Sequence, residues 1–471
     1  MNEVVLHMRK ILGAAIAFFV CLPTVLQSQT LSLENTLDLV RQYHPVCKQA
    51  NLAIDFANAS LRATRGAFDP SIYTKAENKT FDQRNYYSYT NAELKIPTWY
   101  GIDIKAGTED NLGEKFNTEL TPGKNNYLGI SLPVLKGLLL DKRRASLQQA
   151  KLFVKMSRQD QLIAYNNILF EAAEAYWLWI ASSKVLAVLD ESVKVNQKRF
   201  ELVKESFLLG DRAAIDTIEA LAQFQQIQTA RIQALLDFQS RRLVLSNYLW
   251  TADQQPYVLS DKITPDTSWD IVSIVDYPLP NLNELLVSSA VHPKLMSMDI
   301  KMDALEIDRK LKFQQMLPSL DLQYNFLSSG YWNRNIFNQQ LFQNNYKFGV
   351  NFAIPLFLRE SRGEYAQAKI KINDLDYSIR QQRLEIENKV KQYFNEILAV
   401  RNQVLLQQSN IINHQLLLKA EETKFSIGES SMFLVNAREN KLLEANQKMA
   451  ELKAKFFKSL LAVQWAAGGI R

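Results

Sequence analysis

The sequence is poor in cysteine, glycine and proline, and it lacks the residue patterns that mark catalytic sites. Its 471 residues include 2 cysteines, 15 glycines and 13 prolines. Cys21 falls in an N-terminal targeting segment described below, so Cys47 would be alone in the mature chain. A lone cysteine excludes an intramolecular disulfide and a cysteine-based zinc site. No nucleophile–base pair, glycine-rich phosphate loop or metal-ligand spacing occurs, so the sequence predicts no enzyme, no metal and no cofactor.

Long apolar runs are absent beyond the first 28 residues. Arg9 and Lys10 precede the run Ile11–Leu26, and the small residue Ser28 follows it, which predicts a signal peptide over 1–28. The run of about 16 residues is shorter than the roughly 20 that a membrane-spanning helix needs. The mature protein, if it lies in a membrane, would therefore be peripheral or would cross as a β-barrel, whose strands need only about ten alternating residues.

Charge of one sign is not concentrated anywhere in the chain. The formal net charge is +6, from 55 basic and 49 acidic residues, and the excess is spread along the sequence. Because no basic block is present, no nucleic-acid partner is predicted.

The chain contains four sequence landmarks that occur twice in the same order. The two copies lie 248 residues apart at the first two landmarks and 222 and 218 residues apart at the last two, so the first copy is longer in its middle. This predicts a first structural repeat over 29–255, a linker rich in Pro and Asp over 256–280, and a second repeat over 281–471. The matching segments are 43–45 with 291–293, 68–70 with 316–318, 130–135 with 352–357, and 207–211 with 425–429.

Long stretches without glycine or proline predict helices, since both residues are poor in helix interiors. The stretches are 46–65, 138–209, 211–255, 294–317, 364–427 and 429–467. A helix of about 65–70 residues is about 100 Å long at 1.5 Å per residue, far above the usual helix length in globular domains. A single glycine, Gly210 or Gly428, separates each long helix from the returning one, which predicts a tight helical hairpin in each half.

Strand-like alternation separates the short helices from the long ones. It is clear at 128–134, 320–326 and 346–354, and weaker at 71–81. One apolar face is what a lipid-facing strand of a membrane barrel needs. Residues 86–110 contain a further hairpin pattern, which we interpret as a loop excursion or a strand extension, leaving four principal strands per chain.

Four strands cannot close a barrel, and open strand edges are not tolerated in lipid. The barrel would therefore be shared between chains, with eight strands in a dimer or 12 in a trimer, and the trimer would leave a channel. Long helices extending from one end of such a barrel predict a conduit.

This pattern resembles the TolC-like outer-membrane factors of efflux and secretion systems over nearly the whole mature chain. The resemblance is carried by two strand motifs that end in proline, Ser131–Gly137 and Ala353–Phe357, and by two hairpin turns, Leu209–Asp216 and Ile427–Leu434. It implies a mainly α fold with membrane β: a homotrimeric, 12-stranded β-barrel in outer-membrane lipid on an α-helical periplasmic tunnel. It also implies a passive exit duct of a tripartite efflux or type I secretion system, coupled to an inner-membrane transporter through a periplasmic adaptor.

The resemblance further implies that the adaptor docks at the tips of the two helical hairpins. Gly210 and Gly428 are expected in left-handed conformations that let the helices reverse, and a purely structural role fits them equally well. The candidate docking residues are Leu209, Gly210, Asp211 and Arg212 in the first tip and Ile427, Gly428, Glu429 and Ser430 in the second.

Family members often narrow the periplasmic entrance with carboxylates just past these turns, where equal charges from three chains attract cations. Asp216 is at the matching position of the first turn, but the second turn has Leu434 and Ala437 there. This departure predicts an entrance constriction formed by Asp216 with the apolar residues Met432, Phe433 and Leu434. Asp216 fits equally well as a solvated acid that a helix N-terminus favours.

His44 and His292 each precede a proline at the start of a short helix. The repeat explains this pair better than a metal site does, so a structural role is predicted.

Three other interpretations compete with the duct. A periplasmic coiled-coil adaptor or structural protein without a barrel would usually contain one helical hairpin, whereas this chain has two. A secreted coiled-coil adhesin would show sustained heptads and no duplicated strand pair, and an enzyme would need a site that leaves no trace in the sequence. Neither the exported substrate nor the class of partner pump is encoded in any of these patterns.

Overall fold

The computed structural model describes residues 30–113, 121, 123–260, 263–330 and 344–470. The predicted signal peptide lies outside these residues. The first half contains, in order, β1 (Thr30–Leu31), α1 (Leu33–Tyr43), α2 (Pro45–Arg65), β2 (Ser71–Phe81), β3 (Arg84–Pro97), β4 (Asp103–Leu112), β5 (Gly123–Pro133), α3 (Lys142–Leu208) and α4 (Ala214–Ser246). The remainder contains β6 (Thr264–Pro265), α5 (Ser268–Ile271), α6 (Leu282–Ala290), α7 (Pro293–Gln315), β7 (Ser319–Ser329), β8 (Tyr346–Ala353), α8 (Arg359–Ser426) and α9 (Met432–Ala466).

Corresponding helices of the two halves have similar lengths. Helices α2 and α7 have 21 and 23 residues, α3 and α8 have 67 and 68, and α4 and α9 have 33 and 35. The short helices α1 and α6, which the sequence reasoning did not identify, precede α2 and α7 in the same way. Among the described residues, no helix is long and apolar enough to cross a membrane.

The two histidines that precede proline are helix caps. Nδ1 of His44 accepts a hydrogen bond from the N–H of Val46 at 3.2 Å, and Nδ1 of His292 accepts one from the N–H of Lys294 at 3.0 Å. The following proline occupies the first turn of the helix, where it needs no hydrogen-bond donor. Burial, with help from Lys389 and Lys294, lowers the pKa of His292 to about 4, which keeps its ring neutral and able to accept. Within the described ranges, no group of three or more His, Cys, Asp or Glu side chains could hold a metal ion.

The chain forms two compact units. The hairpin unit comprises the described residues of 1–39, 175–277 and 404–454, and the sheet unit comprises those of 40–174, 278–403 and 455–471.

The sheet unit contains one antiparallel sheet of six strands in the order β2-β3-β4-β5-β7-β8. The sheet contains the four predicted principal strands and, in addition, β3 and β4 from the hairpin pattern at 86–110. Of the two interpretations of 86–110, the loop excursion does not hold, because β3 and β4 are hydrogen-bonded into the sheet on both sides.

One face of this sheet is apolar and the other is polar. Ile72 and Phe348, on the apolar face, are 75% and 56% exposed. Tyr127 and Asn125, on the polar face, are 7% and 5% exposed. The apolar character covers only part of that face, because its further rows in β2–β5 contain Thr74, Asp110 and Asn126.

The hairpin unit has its own buried core, and the predicted linker contributes to it. Trp179 and Tyr176 are almost fully buried, and the Tyr176 hydroxyl donates to the carbonyl oxygen of Leu31 at 3.0 Å. Within residues 256–280, β6 pairs in parallel with β1, and Trp269 packs edge-on against Trp177. This segment is therefore more than a connection, since it has secondary structure and buried side chains of its own.

Candidate functional site at the helical hairpin tips

The first hairpin tip is a helix end closed by a left-handed glycine. Gly210 has a φ of +84°. Its N–H donates to the carbonyl oxygen of Phe207 at 3.0 Å, and the N–H of Asp211 donates to that of Ser206 at 2.9 Å. This pair of bonds is a Schellman motif, which satisfies the last carbonyl groups of a helix and turns the chain sharply. Helix α4 begins four residues after Gly210, at Ala214.

The second tip has the same backbone conformation. Gly428 has a φ of +82°, its N–H donates to the carbonyl oxygen of Phe425 at 3.2 Å, and the N–H of Glu429 donates to that of Lys424 at 2.9 Å. The left-handed conformations expected for Gly210 and Gly428 are therefore present, and both glycines serve the turn.

The outermost residues of both tips are exposed. Leu209 and Ile427 have 78% and 64% of their surface accessible, and Asp211 and Glu429 are also exposed. A Cβ atom added at either glycine would meet no heavy atom within 4 Å. Each tip thus presents an aliphatic residue, a glycine and an acid to its surroundings, with space around them for a partner.

Arg212 connects the two tips within the chain. Its guanidinium lies 3.9 Å from the ring centroid of Phe425, and Nη2 donates to the Phe425 carbonyl oxygen at 2.8 Å. Ser430, its counterpart in the second tip, donates its hydroxyl to Oε1 of Glu421 at 2.6 Å. This hydrogen bond, together with nearby Lys424 and Arg438, lowers the pKa of Glu421.

The predicted entrance residues divide into exposed and buried ones. Asp216 lies in the first turn of α4 and is half-buried, in a helix whose cap residue Ala213 provides no side-chain hydrogen bond. An acid at this position is favoured by the helix dipole. Phe433 and Leu434 are 64% and 43% exposed, so their side chains are available to line an opening.

Met432 is the exception, because its side chain is not exposed at the tip. Its side chain is fully buried in a cluster with Val203, Ala220 and Val435. Residues at i and i+3 share one face of a helix, so Met432 and Val435 turn inward together while Phe433 turns outward. The spacing of Met432, Val435 and Glu439, all buried, is a helical stripe that the sequence could have shown.

A buried ion pair near the tips was missed by the sequence reasoning. Nη1 of Arg199 lies 2.5 Å from Oε2 of Glu439, and Asn196 donates to Oε1 of the same carboxylate at 2.9 Å. Nη2 of Arg199 also contacts Glu422 at 3.1 Å. Glu439 is only 7% exposed, so the acid that lies nearest to the second turn on α9 is used inside the hairpin unit.

Both a protein family and several solved structures are similar to this chain. The sequence pattern of the outer membrane efflux protein family matches residues 287–469, whereas no match is found among curated protein sequences. Similar solved structures include the CmeC outer membrane channel of Campylobacter jejuni, with 16% identity, 93% of this chain and 85% of that chain covered, and a TM-score of 0.65. The outer membrane protein VceC of Vibrio cholerae has 13% identity, 93% and 96% coverage and a TM-score of 0.64. The MtrE outer membrane channel of Neisseria gonorrhoeae, in its open state, has 12% identity, 95% and 93% coverage and a TM-score of 0.65.

The chain is thus related to outer membrane efflux proteins by sequence over its second half, and it has the fold of outer-membrane channels over nearly its whole length. The predicted fold, long helical hairpins with a β-sheet as in outer-membrane channels, is confirmed, and the family pattern over residues 287–469 agrees with the predicted resemblance to TolC-like outer-membrane factors.

Proposed function

We propose that this protein is the outer-membrane exit duct of a tripartite efflux or type I secretion system, and that it acts as a passive conduit. Three copies form the channel, a periplasmic adaptor docks at the hairpin tips, and an inner-membrane transporter supplies the substrate. The observation that carries this proposal is the presence in one chain of a sheet with an exposed apolar face and of two equivalent, exposed hairpin tips.

The sheet unit is suited to a membrane that several copies cross together. Its apolar face would contact lipid, and its polar face would contact a water-filled interior, as in outer-membrane barrels. A single sheet of this kind leaves two open edges, which lipid does not tolerate. Three copies satisfy one another's edges, which supports the homotrimer.

The hairpin tips are suited to binding a partner because they repeat the same exposed chemistry. Leu209 and Ile427, the two glycines, and Asp211 and Glu429 correspond between the tips and are all exposed. In this proposal those six residues contact the adaptor, and Arg212 and Ser430 keep the tips in position. Two equivalent tips in each chain would give a trimer six docking positions of one kind.

The periplasmic entrance is formed by exposed residues just past the turns. Phe433 and Leu434 supply an apolar constriction, and Asp216 adds a carboxylate from each chain. Because Leu434 stands where the second half could carry an acid, each chain brings one carboxylate to the entrance instead of two, which halves the negative charge there. Cation selectivity at the entrance is therefore expected to be weak.

The two halves are proposed to be copies of one ancestral unit. The same His-Pro helix start, the same helix lengths and the same Schellman turns occur in both. The predicted boundaries, 29–255 and 281–471, follow from this duplication.

A periplasmic adaptor without a barrel is the main alternative. Such an adaptor would be expected to bury the apolar face of the sheet, because a soluble β-domain normally covers such a surface.

The docking role can be tested by placing charge on both tips. Replacing Leu209→Asp and Ile427→Asp together should abolish export while the trimer still reaches the outer membrane, because both positions are exposed and support no core. Val287→Asp, at a 74% exposed position in α6, is the matched control and should export normally. Trimer formation is followed by electron microscopy of detergent-extracted protein, and export by loss of substrate from cells. Normal export by the double variant would rule out docking at the tips.

A further inference from the structure

We propose that the sheet unit binds the headgroup of a phospholipid, one that carries a phosphate and an N–H donor such as ethanolamine, in a cavity where its helices meet its strands. The cavity has a volume of about 480 Å³, within the range of small-molecule sites. Its described lining residues all belong to the sheet unit. This inference rests on the proposed outer-membrane duct, and its test below distinguishes the failure of either idea.

The first argument is the position of the cavity beside the ends of the strands. It is lined by the end of α7, by Leu139 in the loop between β5 and α3, and by Tyr365 in the second turn of α8. The same loop is joined to the segment before β7, because the N–H of Lys136 donates to the carbonyl oxygen of Pro318 at 3.1 Å. In the proposed duct the strands lie in the outer membrane and the helices extend into the periplasm. The cavity would then lie near the phospholipid headgroups of the periplasmic side.

The second argument is the positive charge of the cavity. Arg309 and Lys310 line it, and none of its described lining residues is an aspartate or a glutamate. Lys310 is exposed and makes no ion pair with any residue that the structure describes. Nη2 of Arg309 lies 2.6 Å from Oε2 of Glu306, but a guanidinium has several N–H donors, so others are left for a ligand. Arginine and lysine are the side chains that usually bind phosphate in proteins.

The third argument is that apolar side chains adjoin these cations. Leu139 and Phe313 line the cavity and are 76% and 46% exposed, and the ring centroids of Phe313 and Tyr365 lie 6.0 Å apart. A phospholipid can place its phosphate on the two cations and the first part of its acyl chains on these side chains. Free phosphate would leave them in water. Aromatic rings also attract an ammonium group such as that of ethanolamine.

The loop that carries Leu139 is fixed by its own hydrogen bonds. Nη2 of Arg144 donates to the carbonyl oxygens of Gly137 and Leu138, to the second at 3.0 Å. The N–H of Arg144 donates to Oδ1 of Asp141 at 2.8 Å. This wall of the cavity is therefore formed without a ligand, and binding does not have to order it.

Gln314 indicates the second feature of the ligand, a hydrogen-bond donor. Gln314 lines the cavity and is 7% exposed, and its Oε1 has no hydrogen-bond partner among the described residues. Buried acceptors are normally paired, because an unpaired one costs free energy. The ammonium group of ethanolamine can donate this missing hydrogen bond. The choline group has no N–H and cannot.

A bound headgroup would fix the depth of the protein in the membrane. Basic and aromatic side chains at a membrane surface hold a protein at the level of the headgroups. Here Lys310 and Phe313 are on the same helix, α7, which leads directly into β7. Each copy has one such cavity, so three copies would bind three headgroups at one level.

Native mass spectrometry of the purified trimer with added lipid tests the site. The native protein should retain phosphatidylethanolamine in preference to phosphatidylcholine. Arg309→Gln with Lys310→Gln should weaken retention by about tenfold or more, because charge-assisted hydrogen bonds to the phosphate are lost. Lys301→Gln, at an exposed position of the same helix outside this cavity, is the matched control and should retain lipid normally. Gln314→Met removes the acceptor and should abolish the preference for ethanolamine over choline.

Three results would overturn this inference and leave the duct intact. The first is a native trimer that retains no phospholipid, as when a neighbouring copy covers the cavity, and the second is equal retention by the double variant and Lys301→Gln. The third is that diacylglycerol, which lacks the phosphate, or inorganic phosphate alone binds as tightly as the phospholipid. A protein that forms no trimer or is absent from the outer-membrane fraction would instead overturn the proposed function. If the double variant does not fold, Lys310→Gln alone, at an exposed position, decides the role of the charge.

Discussion

The two hairpin tips have the same backbone conformation. Their exposed side chains are of the same type, whereas their inner side chains differ. The exposed positions keep their type, with Leu209 matched by Ile427 and Asp211 by Glu429. The inner positions have diverged, with Arg212 matched by Ser430. The glycine therefore determines the turn. The similar outer residues fit a contact that is made at both tips, whereas the inner residues differ because they contact two halves of different sequence.

The largest expected effect comes from removing the buried ion pair that ties both hairpins together. Arg199→Ala leaves the buried Glu439 carboxylate without a positive charge beside it and with only the Asn196 amide as a hydrogen-bond donor, which should cost about 3–5 kcal/mol of unfolding free energy. The matched control is Arg231→Ala, because Arg231 pairs with Asp190 at 2.5 Å but both side chains are 40% exposed. Exposed pairs contribute only about 0–1 kcal/mol.

Thermal unfolding followed by circular dichroism measures both variants in the same detergent. Equal losses for Arg199→Ala and Arg231→Ala would show that burial of Glu439 does not set the strength of the pair.

The next effect concerns the glycines and tests whether the two tips are equivalent. Gly210→Val and Gly428→Val force a β-branched residue into a left-handed conformation, which should cost about 1–3 kcal/mol. Because a Cβ meets no heavy atom at either position, the cost is backbone strain alone and should be the same at both tips. The asparagine variants at these positions should lose less, since asparagine tolerates this conformation better.

Chemical denaturation of the four variants checks this expectation. A loss at one tip that clearly exceeds the loss at the other would mean that the two turns are constrained by different surroundings.

These turns can be predicted from the sequence because their causes are local. Gly210 and Gly428 interrupt long stretches of helix-forming residues, and a His-Pro pair starts a helix through its own cap. The inner contacts could not be found in this way, since Arg199 and Glu439 lie 240 residues apart and meet only when the halves fold together. The orientation of Met432 could have been found from the helical spacing of Met432 and Val435.

The sheet shows the same division between local and distant causes. Strands with a plain alternation, such as Ser319–Ser329, were identified from the sequence. Strands β3 and β4 could be predicted only as a hairpin, because the place of that hairpin in the sheet depends on contacts with residues distant in the sequence. Asp103, for example, is paired with Arg143 on α3.

A smaller effect is expected from the contact between Arg212 and Phe425. Arg212→Lys keeps the charge but loses the flat guanidinium that stacks on the ring, which should cost about 1 kcal/mol. Phe425→Leu removes the ring and keeps the carbonyl acceptor. In a double-mutant cycle the two changes should be less than additive, because they remove one shared interaction. Additive losses would mean that the guanidinium interacts with the carbonyl oxygen alone.

The smallest effect on stability is expected at Ser430, the residue of the second tip that corresponds to Arg212. The hydrogen bond from Ser430 is the main reason that the pKa of Glu421 lies below its ordinary value, and the first tip has Val203 where the second has Glu421. Ser430→Ala should raise the pKa of Glu421 toward the ordinary carboxyl value, which an NMR titration of the side chain detects. A carboxyl with a lowered folded pKa stabilises the fold above its unfolded pKa and loses that contribution as the pH falls through the folded value. The stability difference between the native protein and Ser430→Ala should therefore be present near neutral pH and disappear in acid. If the pKa of Glu421 did not change in this variant, the positive charges of Lys424 and Arg438 would be the cause of its lowering instead.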